Sequence, residues 1–171
     1  MSELDINFLL KAVDNENNEH LLNLTNKIIH KQKNDILQKL QLKRDLLKSF
    51  HKKLKNYRFV SELHEVQYGA YIRWINLKKQ NDIKLTNGGI ICDICVNDNG
   101  LWIKCKNNMN RFFQLNFEEC IVFQKINDQE RILLSVLDFL DKDDNESNDS
   151  SDSDDAEYSD NSNSDSDSDN E

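Results

Sequence analysis

The sequence predicts an α+β protein in which a long amphipathic helix precedes a small, barrel-like antiparallel β module closed by a C-terminal helix, with a disordered acidic tail behind it. Three observations predict this. Apolar residues recur at threes and fours from Glu19 to about residue 58; from Tyr68 the period changes to alternation; and from Asp141 onward apolar residues almost vanish while 14 acidic side chains stand against Lys142 alone. At 171 residues, with 37% hydrophobic and 31% charged content, the chain is long enough for one domain with a real core and appendages.

Residues 1–18 read as a short helix and linker. "SELDINFLLKAV" opens with a Ser2/Asp5 capping pattern and sets Leu4, Phe8 and Leu9 on one side of a helix, and "DNENN" interrupts it. Residues 19–58 read as one basic amphipathic helix: Leu21, Leu22, Leu24, Ile28, Ile29, Ile36, Leu37, Leu40, Leu47, Phe50 and Leu54 keep the period without any Gly or Pro. Spacings of seven, Leu22–Ile29–Ile36 and Leu40–Leu47–Leu54, suit a coiled coil, with Lys33 and Lys43 interrupting the seam, so residues 19–56 are a candidate for homo-oligomer contact.

The β module is expected over residues 66–140. "YGAYIRWINL" is strand-like, with Tyr71, Arg73 and Ile75 on one side and Ile72, Trp74 and Asn76 on the other. "GGIICDICVNDNGLWIKCK" reads as a hairpin turning at Asn99-Gly100, a register that pairs Val96 with Ile103 and Ile94 with Cys105. Ile90, Cys92, Ile94, Val96, Leu101, Ile103 and Cys105 would then face inward, and Asp93, Cys95, Trp102, Lys104 and Lys106 outward. "RFFQLNF" and "ECIVFQKI" follow as strands, and "NDQERILLSVLDFL" closes the module as a helix capped by Asn127 with Glu130 three residues on. Short antiparallel strands in this number suit a curled sheet of SH3-like, Sm-like or OB-like size.

Cys92 and Cys95 form a C-x-x-C, but residues three apart in a strand point to opposite faces and the segment lacks a knuckle's turn residues; no metal or cofactor is expected. Four cysteines without a secretory leader suggest reduced thiols in an intracellular protein. No window approaches the ~18 apolar residues of a membrane span. No phosphate-cradling Gly-rich loop, H-E-x-x-H or G-x-S-x-G occurs, so no catalytic residue is assigned and a non-enzymatic protein is expected.

Charge is the strongest functional signal. Residues 27–58 hold 11 Lys or Arg against Asp35 and Asp45, a net of +9, whereas residues 141–171 carry a net of −13. The basic helix nominates Lys39, Lys43, Arg44, Lys48, Lys52, Lys53 and Lys55 as phosphate contacts, and the outer hairpin face adds Trp102, Lys104 and Lys106, an aromatic-plus-basic set that suits single strands. In the tail, Ser151, Ser162, Ser164, Ser166 and Ser168 each precede an acidic residue by three positions, which resembles acidophilic casein-kinase sites. The expected function is binding of nucleic acid or a basic protein, modulated by the tail; the alternative is a coiled-coil structural or scaffolding component of an assembly.

"YIRWINL", "GGIICDI" and "NRFFQLNFEECIVFQKINDQERILLSVLDFL", within residues 68–140, resemble uncharacterised proteins of giant DNA viruses of the mimivirus kind, as does the Asn- and Lys-rich, AT-biased usage. The resemblance implies a virion or viral-factory protein, and for the alternative a viral assembly; it implies no catalytic signature.

Overall fold

The computed structural model describes residues 3–78 and 83–148. Among these, the helices are α1 (Glu3–Val13), α2 (Asn26–Lys39), α3 (Arg44–Lys53) and α4 (Asp128–Asn148). The strands are β1 (Tyr57–Val60), β2 (Tyr71–Asn76), β3 (Gly89–Asn97), β4 (Gly100–Lys106), β5 (Phe112–Asn116) and β6 (Cys120–Lys125). They form one antiparallel sheet in the order β1-β6-β2-β3-β4-β5.

The expected helix over residues 19–58 is not continuous. Glu16–Leu21 is a short 3₁₀ helix, α2 begins only at Asn26, where the Thr25 hydroxyl accepts the Ile28 N–H, and the chain turns between α2 and α3 with Gln41 at φ 49°. A left-handed backbone at a non-glycine residue costs about 1–2 kcal/mol, and the packing shows what offsets it. A straight helix would set Leu37 and Phe50 about 20 Å apart at 1.5 Å per residue. The turn folds both, with Leu54, into one cluster with Tyr57, Ile75, Ile121 and Phe123. Most heptad positions therefore serve the protein's own core: Ile29 packs on Ile126 and Leu134, Leu54 is fully buried, Ile36, Leu40 and Leu47 pack against the same cluster, and Leu22 alone of the six is exposed.

Lys33, which breaks the apolar stripe in sequence, follows Ile29 and precedes Leu37 by four residues and is itself 1% exposed. Its stem packs with the apolar face while Nζ donates at 2.8 Å to the carbonyls of Leu54, at the C-terminal end of α3, and Tyr57, in edge strand β1. Desolvation lowers the pKa of this ammonium from its ordinary value.

β1 lies before the expected start of the β module and pairs with β6 along Tyr57–Val60. Both faces of β6 are consequently covered. Ile121 and Phe123 face α2 and α3, whereas Val122 joins Val60, Ile72, Ile91, Ile103, Cys105 and Leu115 on the other side. That second face is concave: Trp74 of β2 and Phe113 of β5 approach to 5.0 Å between ring centroids, although strands three places apart in a flat sheet would be about 14 Å apart. The sheet curls but stays open, with β1 and β5 as its edges, so the barrel-like expectation is corrected to a curled open sheet.

The hairpin register also differs from expectation. Asn97 pairs with Gly100, Val96 with Leu101 and Ile94 with Ile103, a shift of two residues. Asp98 and Asn99 take negative φ, which excludes a type I′ turn; Asn97 Oδ1 accepts the Asn99 N–H, and Gly100 alone has the positive φ, +105°. A bulge between Ile91 and Asp93 then resets the alternation. Ile91 takes the inner place opposite Cys105, and Ile90 and Cys92, expected inside, are exposed.

The closing helix follows its sequence signature. The Asn127 N–H donates to Glu130 Oε2 at 2.7 Å and the Glu130 N–H to Asn127 Oδ1 at 2.8 Å, a reciprocal capping box. Glu130 is fully buried and its Oε1 meets Arg58 Nε at 3.2 Å, tying α4 to β1. α4 continues to Asn148, past the expected tail boundary at 141. The rest of the tail, with Ser151, Ser162, Ser164, Ser166 and Ser168, lies outside the described residues.

Candidate nucleic-acid interface

α3 gives the cations of the sequence a direction. Arg44, Lys48 and Lys52 recur every four residues and are exposed; Phe50, which anchors the helix in the core, lies about 200° round the axis from Lys48. Lys55 follows the C-cap residue Leu54 and is exposed as well. Among the described residues none of these four forms an ion pair. Lys52 and Lys53, with His51, also occupy the last turn, where positive charge favours the helix dipole; Lys53 points away from the stripe, Lys43 is the N-cap position and Lys39 ends α2.

His51, in the last turn of α3, lies within reach of the charges of Lys33 and His30. Burial first, then the charges of Lys33 and His30, lower its pKa from the ordinary value, and it is therefore a neutral member of the cluster at neutral pH.

The outer hairpin face is arranged differently from the sequence expectation. Trp102 is half-buried between Cys95 and Asn116 in the ladder. Lys104 and Lys106 instead flank Phe112, their Nζ atoms 5.4 and 5.8 Å from its ring centroid, and Phe112 is 59% exposed. Sequence reasoning passed over Phe112, although the alternation that sends Phe113 and Leu115 inward sends Phe112 out. α3 packs over strands β1, β6 and β2, whereas this set lies on β4 and β5, so the structure does not join the two groups into one patch.

A cleft of about 260 Å³ opens where Lys55 meets the helices, lined by His30, Lys55, Asn56 and Arg131 among others. Arg131 escaped sequence reasoning because it stands among acidic residues in the first turns of α4, and only the packing of α4 beside α2 places it near Lys55.

The thiols carry no comparable constellation. Cys92 and Cys95 are exposed; Cys105 is buried, its pKa pushed up to about 12 by burial and then by neighbouring Cys92; and Cys120 is pushed up to about 11 by burial and then by Glu119. Cys95 donates to Asp93 Oδ2 at 3.4 Å, and this hydrogen bond is the main cause of its raised pKa. Among the described residues no group of three or more His, Cys, Asp or Glu side chains could hold a metal ion.

Compared with known proteins, the chain matches no family model, no curated protein and no solved structure. No described helix is long and apolar enough to cross a membrane.

Proposed function

We propose that this chain is a non-enzymatic binding protein that takes nucleic acid by its phosphates, with the acidic tail as an internal competitor. The observation that carries the reading is the solvent-facing stripe Arg44, Lys48 and Lys52, continued by Lys55, none of it neutralised by an ion pair among the described residues. A surface of this kind attracts polyanions through counterion release and reads backbone rather than sequence. A basic protein would have to be met by the tail, so the described residues favour the nucleic acid.

The test is fluorescence-anisotropy titration of labelled oligonucleotides at about 50 and 200 mM salt, where nonspecific electrostatic binding changes steeply. Charge reversal by Lys48→Glu with Lys52→Glu should weaken binding at least tenfold and flatten the salt slope by roughly 1.4, two phosphate contacts on a single strand. Ending the chain after Asn148 should strengthen binding, and phosphorylating the tail serines should weaken it. No binding by the tail-less protein at the lower salt sinks the reading.

A second reading, a component of an assembly, is favoured by a separate observation. Ile6, Leu10 and Val13 form an i, i+4, i+7 stripe on α1 that is about half exposed, and Phe139 of α4 is 64% exposed. A scaffold contact would use these positions rather than the heptads of residues 19–56, of which Ile29 and Leu54 are buried in the core and Ile36, Leu40 and Leu47 pack against it. Mass measurement in solution, repeated with Leu10→Glu, tests it.

A further inference from the structure

A second cleft, of about 370 Å³, adjoins the one beside Lys55. The two share Ile126 and Arg131 as lining residues. Away from the shared residues the second cleft presents Lys125, Tyr68 and Tyr71, and Tyr68 is 66% exposed.

The lining of this joined groove is net positive, with Lys55, Arg131 and Lys125 against Asp128. Glu130 is held by Arg58 and by the Asn127 N–H, and Asp138 accepts both the backbone and side-chain N–H groups of Asn26 at 2.7 Å. Two carboxylates compete: Asp138, whose partner Asn26 is uncharged and does not neutralise it, and Asp128, 3.4 Å from Arg131 Nη1 in a pair whose side chains are 84% and 61% exposed and which is therefore worth little. Lys55, Arg131 and Lys125 thus follow one another along the groove, with His30 beside Lys55, and Lys55 links it to the stripe of α3.

We propose that the joined clefts form the groove in which a single-stranded nucleic acid lies, its phosphates on Lys55, Arg131 and Lys125 and one base stacked on Tyr68. The inference rests on the nucleic-acid reading above and adds strand type and place. A row of cations ending in an exposed aromatic ring is the arrangement by which proteins hold unpaired strands, since every base has a stackable face and only an unpaired base can reach a side chain. The stripe by itself would not distinguish single strands from duplex.

The experiment titrates the full chain against a fluorescein-labelled twelve-nucleotide single strand, as DNA and as RNA, and against the matching duplex. Tyr68→Ala should weaken single-strand binding at least about fivefold, the low end for one lost stacked base, while leaving duplex binding unchanged, and Tyr68→Phe should bind as the parent does. Arg131→Gln should weaken binding and reduce the single-strand salt slope by about 0.7, one phosphate contact. Both side chains are exposed, so equal thermal midpoints verify that the variants fold. If Tyr68→Ala and Arg131→Gln bind like the parent while the Lys48/Lys52 reversal loses affinity, the groove is refuted and the stripe stands. Equal loss on single strand and duplex for Tyr68→Ala refutes the stacked base and with it the strand preference. Failure of both the parent and the chain ended after Asn148 to bind any oligonucleotide at about 50 mM salt overturns the groove and the nucleic-acid reading together.

Discussion

Replacing Lys33 by Met tests how α2, α3 and β1 are joined. The side chains are of similar length, so the change removes a buried ammonium and its hydrogen bonds without opening a large cavity. Two effects oppose each other. Relief of desolvation, the cause of the lowered Lys33 pKa, favours the variant, whereas loss of the 2.8 Å bonds to the Leu54 and Tyr57 carbonyls disfavours it. The Leu54 carbonyl keeps the Tyr57 N–H at 3.1 Å, so its loss is partial. The Tyr57 carbonyl belongs to a buried residue of an edge strand, and an unsatisfied buried acceptor costs about 1–3 kcal/mol. That cost decides the balance: Lys33→Met should be less stable by about 1–3 kcal/mol in urea titrations, or roughly 3–9 °C in midpoint for a domain of this size. Exposed Lys31→Met, two residues earlier in α2, should stay within about 0.5 kcal/mol of the parent. Unchanged or increased stability of Lys33→Met would refute the reasoning, because it would mean that the ammonium's desolvation outweighs the carbonyls it serves.

Four further outcomes are expected. Glu130→Ala should cost about 3–5 kcal/mol by urea denaturation, since it strands the buried Arg58 charge and opens the capping box; a loss below 1 kcal/mol would show that the pair carries no such load. Gly88→Ala should cost clearly more than Gly69→Ala: both glycines have positive φ, worth about 1–3 kcal/mol, but a Cβ at Gly88 would strike the Ile72 carbonyl oxygen and one at Gly69 meets open space. In thiol labelling of the native protein, Cys92 and Cys95 should react before Cys120 and Cys105, and Asp93→Asn should speed Cys95 by removing the hydrogen bond that raises its pKa; prompt labelling of Cys105 would contradict its burial. Because the folded pKa of His51 lies below its unfolded value of about 6.5, the unfolded chain takes up this proton first, so stability should fall as pH drops below about 6.5, and His51→Gln should flatten that fall; an identical acid-side slope in the variant would reject the assignment.

What the sequence determined by itself is what neighbouring residues encode. The Asn127 and Glu130 box lies within one turn, so the start of α4 was legible, and the alternation of "YIRWIN" assigned the two faces of β2 because a strand's period is independent of its partner. The charge asymmetry between residues 27–58 and the tail is likewise a property of composition. Tertiary structure decided whatever depended on a distant group. Nothing local distinguishes a lysine that ends a hydrophobic stripe from Lys33, whose partners are the carbonyls of Leu54 and Tyr57, residues 21 and 24 positions later. The break at Gln41 needs no Gly or Pro because the shared pocket of Leu37, Phe50 and Tyr57 drives it. The hairpin register was set by the side chain of Asn97 and by a bulge at Cys92, where one extra residue reverses the face of its neighbours, and alternation rules assume no bulge. Arg131 reached Lys55 only through the packing of α4 beside α2, a placement fixed in part by Asp138 holding Asn26 from 112 residues away, and no local pattern records a contact of that range.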